Sequence, residues 1–309
     1  MFKNPKEIAC HSCRNGTQLR GRIPDALRFA GRDLDSPLPG GNLYVCPNCH
    51  LNFRYPRPSK RTLDRLYTDG SANAWENPAD RRRDWAVARQ ILDDPTVARS
   101  VLDVGCFDGG FLDSLGSRWG LHGVEIHPTA AARAEERGVE IICRNYDDLG
   151  KLDRAFGVVT AFDVVEHVED PLLFLRQLSR LVLPGGIVTL STGNTETLSW
   201  MLLGSRYYYC VIPEHISFIN PKWCAYAVRT LGLTLVHMAK FSREPHRTIP
   251  KRVRQTALNI TYALMPRTAA AARSLGFGGL DVRRHRSLLS HPPYWGTARD
   301  HFLVCFKKK

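Results

Sequence analysis

The stretch Val101 to Leu112, VLDVGCFDGGFL, combines an apolar strand, a glycine loop and the start of a helix near Gly110. Asp103 sits at the end of the strand, and Gly105 and Gly109 let the backbone approach a ligand closely. About twenty residues on, a second strand, LHGVE, ends in Glu125, where an acid can accept hydrogen bonds from two ribose hydroxyls. Loop, spacing and acid describe a nucleoside site at the carboxyl edge of a parallel sheet. A dinucleotide-binding fold is the competing reading, but its G-x-G-x-x-G motif has a glycine where Phe107 stands.

Two cysteine pairs form a second constellation. Cys10-x-x-Cys13 and Cys46-x-x-Cys49 have the spacing that turns both sulfurs of a pair toward one tetrahedral ion, the pattern of a four-cysteine structural zinc site. The 32 residues between the pairs imply an inserted loop from about Pro24 to Gly41. Four thiolates close the coordination sphere, so such a zinc is structural, and a redox role lacks the surrounding βαβ pattern.

The elements that must position these residues alternate as in a doubly wound sheet. After Glu125 the pattern predicts a helix from Pro128 to Gly138 and strands at 139–143 and 156–162. A helix at 171–183, a PGG turn at 184–186 and a strand at 187–191 follow. A helix at 221–231, a strand at 233–237 and a last strand at 301–306 complete the core, and PADRRRDWAVARQIL (78–92) reads as a leading helix. The +13 net charge is uneven: residues 1–98 carry +5, residues 99–242 carry −3 and residues 243–309 carry +11. An acidic core suits a cationic ligand better than a pyrophosphate. No apolar run approaches the roughly 18 residues of a membrane span, and MFKNPKEIAC lacks the core of a secretory signal. With nine cysteines, a reducing, cytoplasmic setting is expected.

The run FDVVEHVEDPLLFLRQLSRLVLPGGIVTLSTGN (162–194) closely resembles class I S-adenosylmethionine-dependent methyltransferases, most of all the branch with ubiquinone-type O-methyltransferases and sugar methyltransferases. PEHISFINPKW (213–223) is similar to a segment of the same branch. HLNFRYPRPSKRTLDRLY (50–67) resembles the linker of methyltransferases that carry an N-terminal zinc ribbon. The resemblance implies an α/β, Rossmann-like seven-stranded methyltransferase sheet with a small zinc ribbon at 1–60 and a linker and leading helix at 61–98. The methyltransferase domain would occupy 99–309, with a basic helical insertion at 243–298 before the last strand. It implies S-adenosylmethionine as cofactor, with Asp103, Gly105 and Gly109 around the methionine half and Glu125 on the ribose. Asn145, in place of an Asp, would contact the adenine amino group, Tyr146 would lie against the ring, and Asp163 would border the cofactor.

A sulfonium is already a good leaving group, so the main demand on the enzyme is in-line placement of the acceptor. A hydroxyl acceptor must also lose a proton, which calls for a base or a metal. His215 is the candidate base, with a loop anchor bonded to backbone as the alternative. Asp163, Glu166 and His167 resemble the acid-x-x-Glu-His cluster that holds a divalent metal such as magnesium in ubiquinone-type enzymes. Alternatively, Glu166 and His167 cap the next helix. Glu214 reads as a solvated loop carboxylate, with orientation of His215 as its other role.

The 243–298 segment carries a helix, KRVRQTALNITYALM, whose stripe Val253, Ala257, Ile260 and Leu264 is expected to pack on the core, with an anionic membrane surface or a cover over the pocket as alternatives. Arg283, Arg284 and Arg286 could grip phosphate or uronate groups of a glycan or lipid-linked acceptor, or equally an RNA backbone, and PPYW (292–295) could stack on a sugar or form a rigid turn. The Arg81–Arg83 run reads as a solvated face. The leading expectation is methyl transfer to a saccharide, lipid-linked or small-molecule acceptor, at oxygen before carbon. Nucleic acid is the weaker partner: an RNA methyltransferase lacks support from any aromatic–basic platform or Asn/Asp-Pro-Pro-aromatic motif. An inactive zinc-ribbon scaffold is disfavoured by the intact Asp103, Gly105 and Glu125.

Overall fold

The computed structural model describes residues 8–70, 82–243, 249–275 and 299–309. Its N-terminal part runs through β1 (Gln18–Arg22), β2 (Ala26–Phe29), β3 (Arg32–Leu38), β4 (Asn42–Val45) and β5 (Asn52–Tyr55). The expected inserted loop is a β2–β3 hairpin whose tip holds Ala30 and Gly31 at φ +47° and +75°. Helix α1 (Lys60–Thr68) begins where the Ser59 hydroxyl accepts from the Thr62 N–H, and α2 (Arg83–Leu92) leads into the main sheet.

That sheet starts with β6 (Ser100–Val104), α3 (Gly110–Asp113), β7 (Gly120–Val124), α4 (Pro128–Glu136), β8 (Glu140–Cys143) and β9 (Phe156–Phe162). It continues with α5 (Pro171–Arg180), β10 (Val182–Gly193), α6 (Leu198–Leu203), α7 (Tyr208–Val211), β11 (Ser217–Phe218) and α8 (Pro221–Leu231). β12 (Thr234–Phe241), α9 (Ile249–Leu264), α10 (Pro266–Ser274) and β13 (His301–Lys307) close the chain. The seven strands lie in the order β12-β13-β10-β9-β6-β7-β8, with antiparallel β13 between β10 and β12. The order reverses between β6 and β9, the position where such sheets open a ligand crevice at the strand ends. β9 is buried along its whole length, as a central parallel strand covered on both faces requires.

Helix α5 ends at Arg180, short of the expected Leu183, because Val182 already pairs with Phe156 and the PGG turn forms an irregularity inside β10. In α9 the stripe Val253, Ala257, Ile260 and Leu264 faces outward, with Leu264 75% exposed, so the expected packing of that stripe on the core is overturned. The opposite face turns in because Tyr262, 1% exposed, joins the buried cluster of Trp200, Leu203 and Tyr207, and Asn259 donates to the Ser199 hydroxyl of α6 at 3.0 Å. Arg81, the Arg283, Arg284 and Arg286 cluster and PPYW lie outside the described residues.

A second sheet has the order β1-β4-β5-β11. Its last strand comes from between α7 and α8, with Ser217 opposite Phe53 and Phe218 opposite Asn52. The cysteine-bearing module is thereby stitched to the α7–α8 connection, the segment that holds His215.

Candidate active site

A cavity of ≈ 1790 Å³ opens at the carboxyl ends of β6, β7 and β9 and reaches the N-terminal module. All the candidate catalytic and cofactor residues line it except Gly109. Gly105 adopts φ +76°, and a Cβ there would stand 2.6 Å from Val164 Cγ2. Phe107, in the place of the missing glycine, still takes the left-handed backbone, φ +50°. Gly109, also at φ +76°, caps α3, and a Cβ there would press on Val139 and Ala134. Its contribution is the seating of α3 against α4, away from the cavity.

Glu125 accepts from the His127 N–H at 2.7 Å through Oε1 and from the Phe107 N–H at 2.9 Å through Oε2. A carboxylate has about four lone-pair sites, so two stay free for vicinal hydroxyls. Asp103 accepts from the Thr160 hydroxyl at 2.7 Å, and burial pushes its carboxyl up to about 7. Asn145 Oδ1 accepts from the Asp147 N–H at 3.1 Å and caps the 3-10 turn Tyr146–Lys151. An adenine amino group would have to share that oxygen. The Tyr146 ring meets Phe174 edge-on at 5.8 Å. A closely approachable backbone, a part-satisfied acid at the second strand end and a buried acid at the first fit a sulfonium nucleoside.

Next to this edge, the 3-10 turn Val165–His167 brings Glu166 and His167 against His215. Glu166 is 1% exposed and accepts from the Tyr209 hydroxyl at 2.6 Å and the Thr192 hydroxyl at 2.8 Å. Burial, helped by the charge of Asp163, raises its carboxyl to about 7. His215 Nδ1 lies 2.9 Å from the Tyr209 carbonyl oxygen. A carbonyl only accepts, so Nδ1 carries the proton and Nε2 keeps the lone pair. Burial and the neighbouring His167 hold His215 well below the ordinary imidazole range. His167 Nδ1 lies 2.7 Å from the Tyr67 hydroxyl and 3.1 Å from the Glu214 carbonyl oxygen, and burial lowers its pKa too. The two rings are 5.0 Å apart.

Asp163 points elsewhere, ion-paired to Arg82 at 3.2 Å and Arg243 at 3.3 Å. Burial alone would raise its carboxyl, but the two guanidiniums hold it below the usual range. Arg82 also grips Asp84 through two nitrogens and is 13% exposed, so it belongs to the cavity wall and not to a solvated face. Magnesium does not fit this cluster. It takes an octahedron of oxygens, whereas the atoms within 4.8 Å are two imidazoles and one carboxylate already serving two hydroxyls. Nor do Glu166 and His167 cap the next helix: Asp170 accepts from the Leu172 and Leu173 N–H groups. Glu214 is buried rather than solvated, and its Oε1 accepts from the Ala30 N–H of the hairpin tip at 2.6 Å.

The four cysteines meet as their spacing requires, with all sulfurs within 4.8 Å of one another. Cys10 Sγ is 3.5 Å from Cys49 Sγ, and Cys13 Sγ is 3.4 Å from Cys46 Sγ. Each pair ends in a left-handed residue, Arg14 at φ +63° and His50 at φ +62°, whose N–H bonds back to the first cysteine's carbonyl. Two equivalent knuckles facing each other fit a tetrahedral zinc. Tyr209, Arg82, Arg243 and Arg54 were not singled out from sequence. Only the Tyr207–Tyr209 run and the Arg81–Arg83 run hinted at the first two.

Residues 59–238 match the family model described as a methyltransferase domain. The ubiquinone biosynthesis O-methyltransferase of Aeromonas salmonicida is 32% identical over 169 residues, 47% of this chain and 69% of that protein. Its namesake from Xanthomonas axonopodis is 31% identical over 189 residues, 56% of this chain and 78% of that one. A chain of the solved complex between the Haloferax volcanii Trm112 methyltransferase activator and a methyltransferase superposes with a TM-score of 0.50 at 16% identity, covering 79% of this chain and 96% of that one. That last likeness is one of fold alone. The family match takes in every parallel strand of the sheet and all the candidate catalytic and cofactor residues. The chain therefore belongs to this methyltransferase family and is a class I S-adenosylmethionine-dependent methyltransferase.

Proposed function

We propose that the enzyme methylates a hydroxyl oxygen of a small-molecule acceptor and that His215 takes the hydroxyl proton on Nε2. The bound cofactor supplies an electrophilic methyl group on sulfur. Asp103, Gly105 and Glu125 hold its two ends, with Asn145 and Tyr146 at the base. The observation that carries the reading is the fixed tautomer of His215, a buried imidazole that is neutral at physiological pH and lines the same cavity as Glu125. Glu166 and His167 shape its surroundings. The names of the relatives, O-methyltransferases, support oxygen as the methylated atom. Turnover of acceptors captured from cell extract with isotopically labelled S-adenosylmethionine tests it. His215→Ala should lose about 10²–10⁴-fold, and unchanged turnover would eliminate the role.

Within that class the acceptor is read as a saccharide or lipid-linked compound. A cavity of ≈ 1790 Å³ is larger than the roughly 300–1,000 Å³ of an ordinary small-molecule pocket, leaving room for a bulky acceptor beside a nucleoside. The outward stripe of α9 supports a peripheral contact with an anionic membrane from the cytoplasmic side. Among the described residues no helix is long and apolar enough to cross a membrane. The Cys10, Cys13, Cys46 and Cys49 set is assigned to one structural zinc within a ribbon spanning residues 1–60, ahead of the linker at 61–98 and the catalytic domain at 99–309.

A further inference from the structure

Arg54, on the ribbon strand β5, is fully buried at 0% exposure, yet no carboxylate pairs with it among the described residues. Its guanidinium binds main-chain carbonyls instead. Nε donates to His215 O at 3.1 Å, and Nη2 donates to Cys210 O at 2.8 Å and Ile212 O at 3.0 Å. Its backbone N–H donates to Ile216 O at 2.9 Å. Nη1 has no hydrogen-bond partner. Four N–H groups of one residue thus hold four carbonyls from within α7 to the residue before β11, the segment that carries His215.

Burying a guanidinium that no carboxylate touches, with only the charge of the nearby buried Glu214 to offset it, is costly, and a methionine or leucine could fill such a space at lower cost. What an apolar side chain cannot do is satisfy the carbonyl of Cys210 at the end of α7 and that of His215 beyond it, and add a second donor to the Ile212 carbonyl, which the His215 N–H also reaches at 3.1 Å. The planar fork stops α7 and turns the chain, so that the His215 ring folds back onto the carbonyl of Tyr209. We infer that Arg54 is a positioning residue of the methyltransferase, through which the cysteine-bearing ribbon fixes the orientation and tautomer of His215. The inference rests on the reading of His215 as proton acceptor for its catalytic meaning, though not for its geometry.

Nitrogen-edited NMR of the full-length protein with labelled histidine reads the geometry without any acceptor, with His215 signals assigned by their loss in His215→Asn. The wild type should show a single tautomer protonated at Nδ1. Arg54→Met should lose that single-tautomer signature while S-adenosylmethionine affinity, measured by calorimetry, stays within about twofold. Arg54→Lys keeps the charge but loses the rigid planar fork that sets Nε against one carbonyl and Nη2 against two others. The same loss is expected there, and this variant decides the matter if Arg54→Met does not fold. A folded Arg54 variant that keeps the wild-type His215 signals would overturn the inference. Failure of the base assignment shows up separately, as undiminished turnover in His215→Ala.

Discussion

The Tyr209 hydroxyl donates a 2.6 Å hydrogen bond to Glu166 Oε1 while accepting one of 3.0 Å from the Gly193 N–H. One phenol oxygen therefore ties the end of β10 to the turn that carries Glu166. Tyr209→Phe should leave both the carboxylate and the Gly193 N–H short of a partner in a buried place. The expected loss is about 1–3 kcal/mol of stability in denaturant unfolding, with no change in the slope of the transition. A midpoint equal to wild type would contradict this account.

Glu166 predicts a pH dependence. Its folded pKa is raised from 4.5 to about 7 by burial and by Asp163. A group raised in this way contributes stability that is complete below its unfolded value and lost as pH rises through the folded one. Glu166→Gln removes that loss, so the variant should gain on wild type between about pH 5 and 8, by on the order of 1–3 kcal/mol. Asp103, also raised to about 7, leaves part of the slope in both proteins. Thermal melts across the range check it, and parallel curves for the two proteins would argue against a buried, charge-frustrated Glu166.

Glu125 offers a binding test. Replacing it with Gln puts an amide NH₂ against the N–H of Phe107 or His127 and removes the charge proposed to meet the ribose. Cofactor affinity in calorimetry should fall about 10–100-fold. His215→Ala should bind the cofactor as wild type does, which separates the cofactor edge from the acceptor side of the cavity.

For the cysteine cluster, elemental analysis of purified protein should find one zinc per chain. Cys46→Ser should lower that content and reduce the apparent Tm by on the order of 10 °C. Metal-free protein with all four thiols reduced and an unchanged Tm would refute the zinc assignment.

Much of the site was legible because it is local. The strand–glycine loop–helix run, Glu125 at the next strand end and the paired cysteines each depend on residues a few positions apart. β9 was readable from a mostly apolar run, FGVVTAF, broken only by Gly157 and Thr160. What escaped depends on distant partners. Arg82 sits in a charge run that looks solvated until Asp84 and Asp163 enclose it. Arg54 meets carbonyls more than 150 positions away. The stripe of α9 has the right period, but Tyr262 packs on Trp200 and Leu203 and Asn259 bonds Ser199 on the other face, and these outweigh the apolar pattern. The end of α5 was overrun because Leu181–Leu183 continues a helical pattern that the pairing of Val182 with Phe156 cuts short.

The short strand β11 has a consequence for engineering and for inheritance. Because Ser217 and Phe218 complete a sheet otherwise built from residues 18–55, the front module is no interchangeable cassette. A chimera that imports a foreign ribbon must bring a matching 209–218 segment with it, or leave a torn seam beside His215. Drift in either stretch would then be answered in the other, so the two should change together across descendants of this chain.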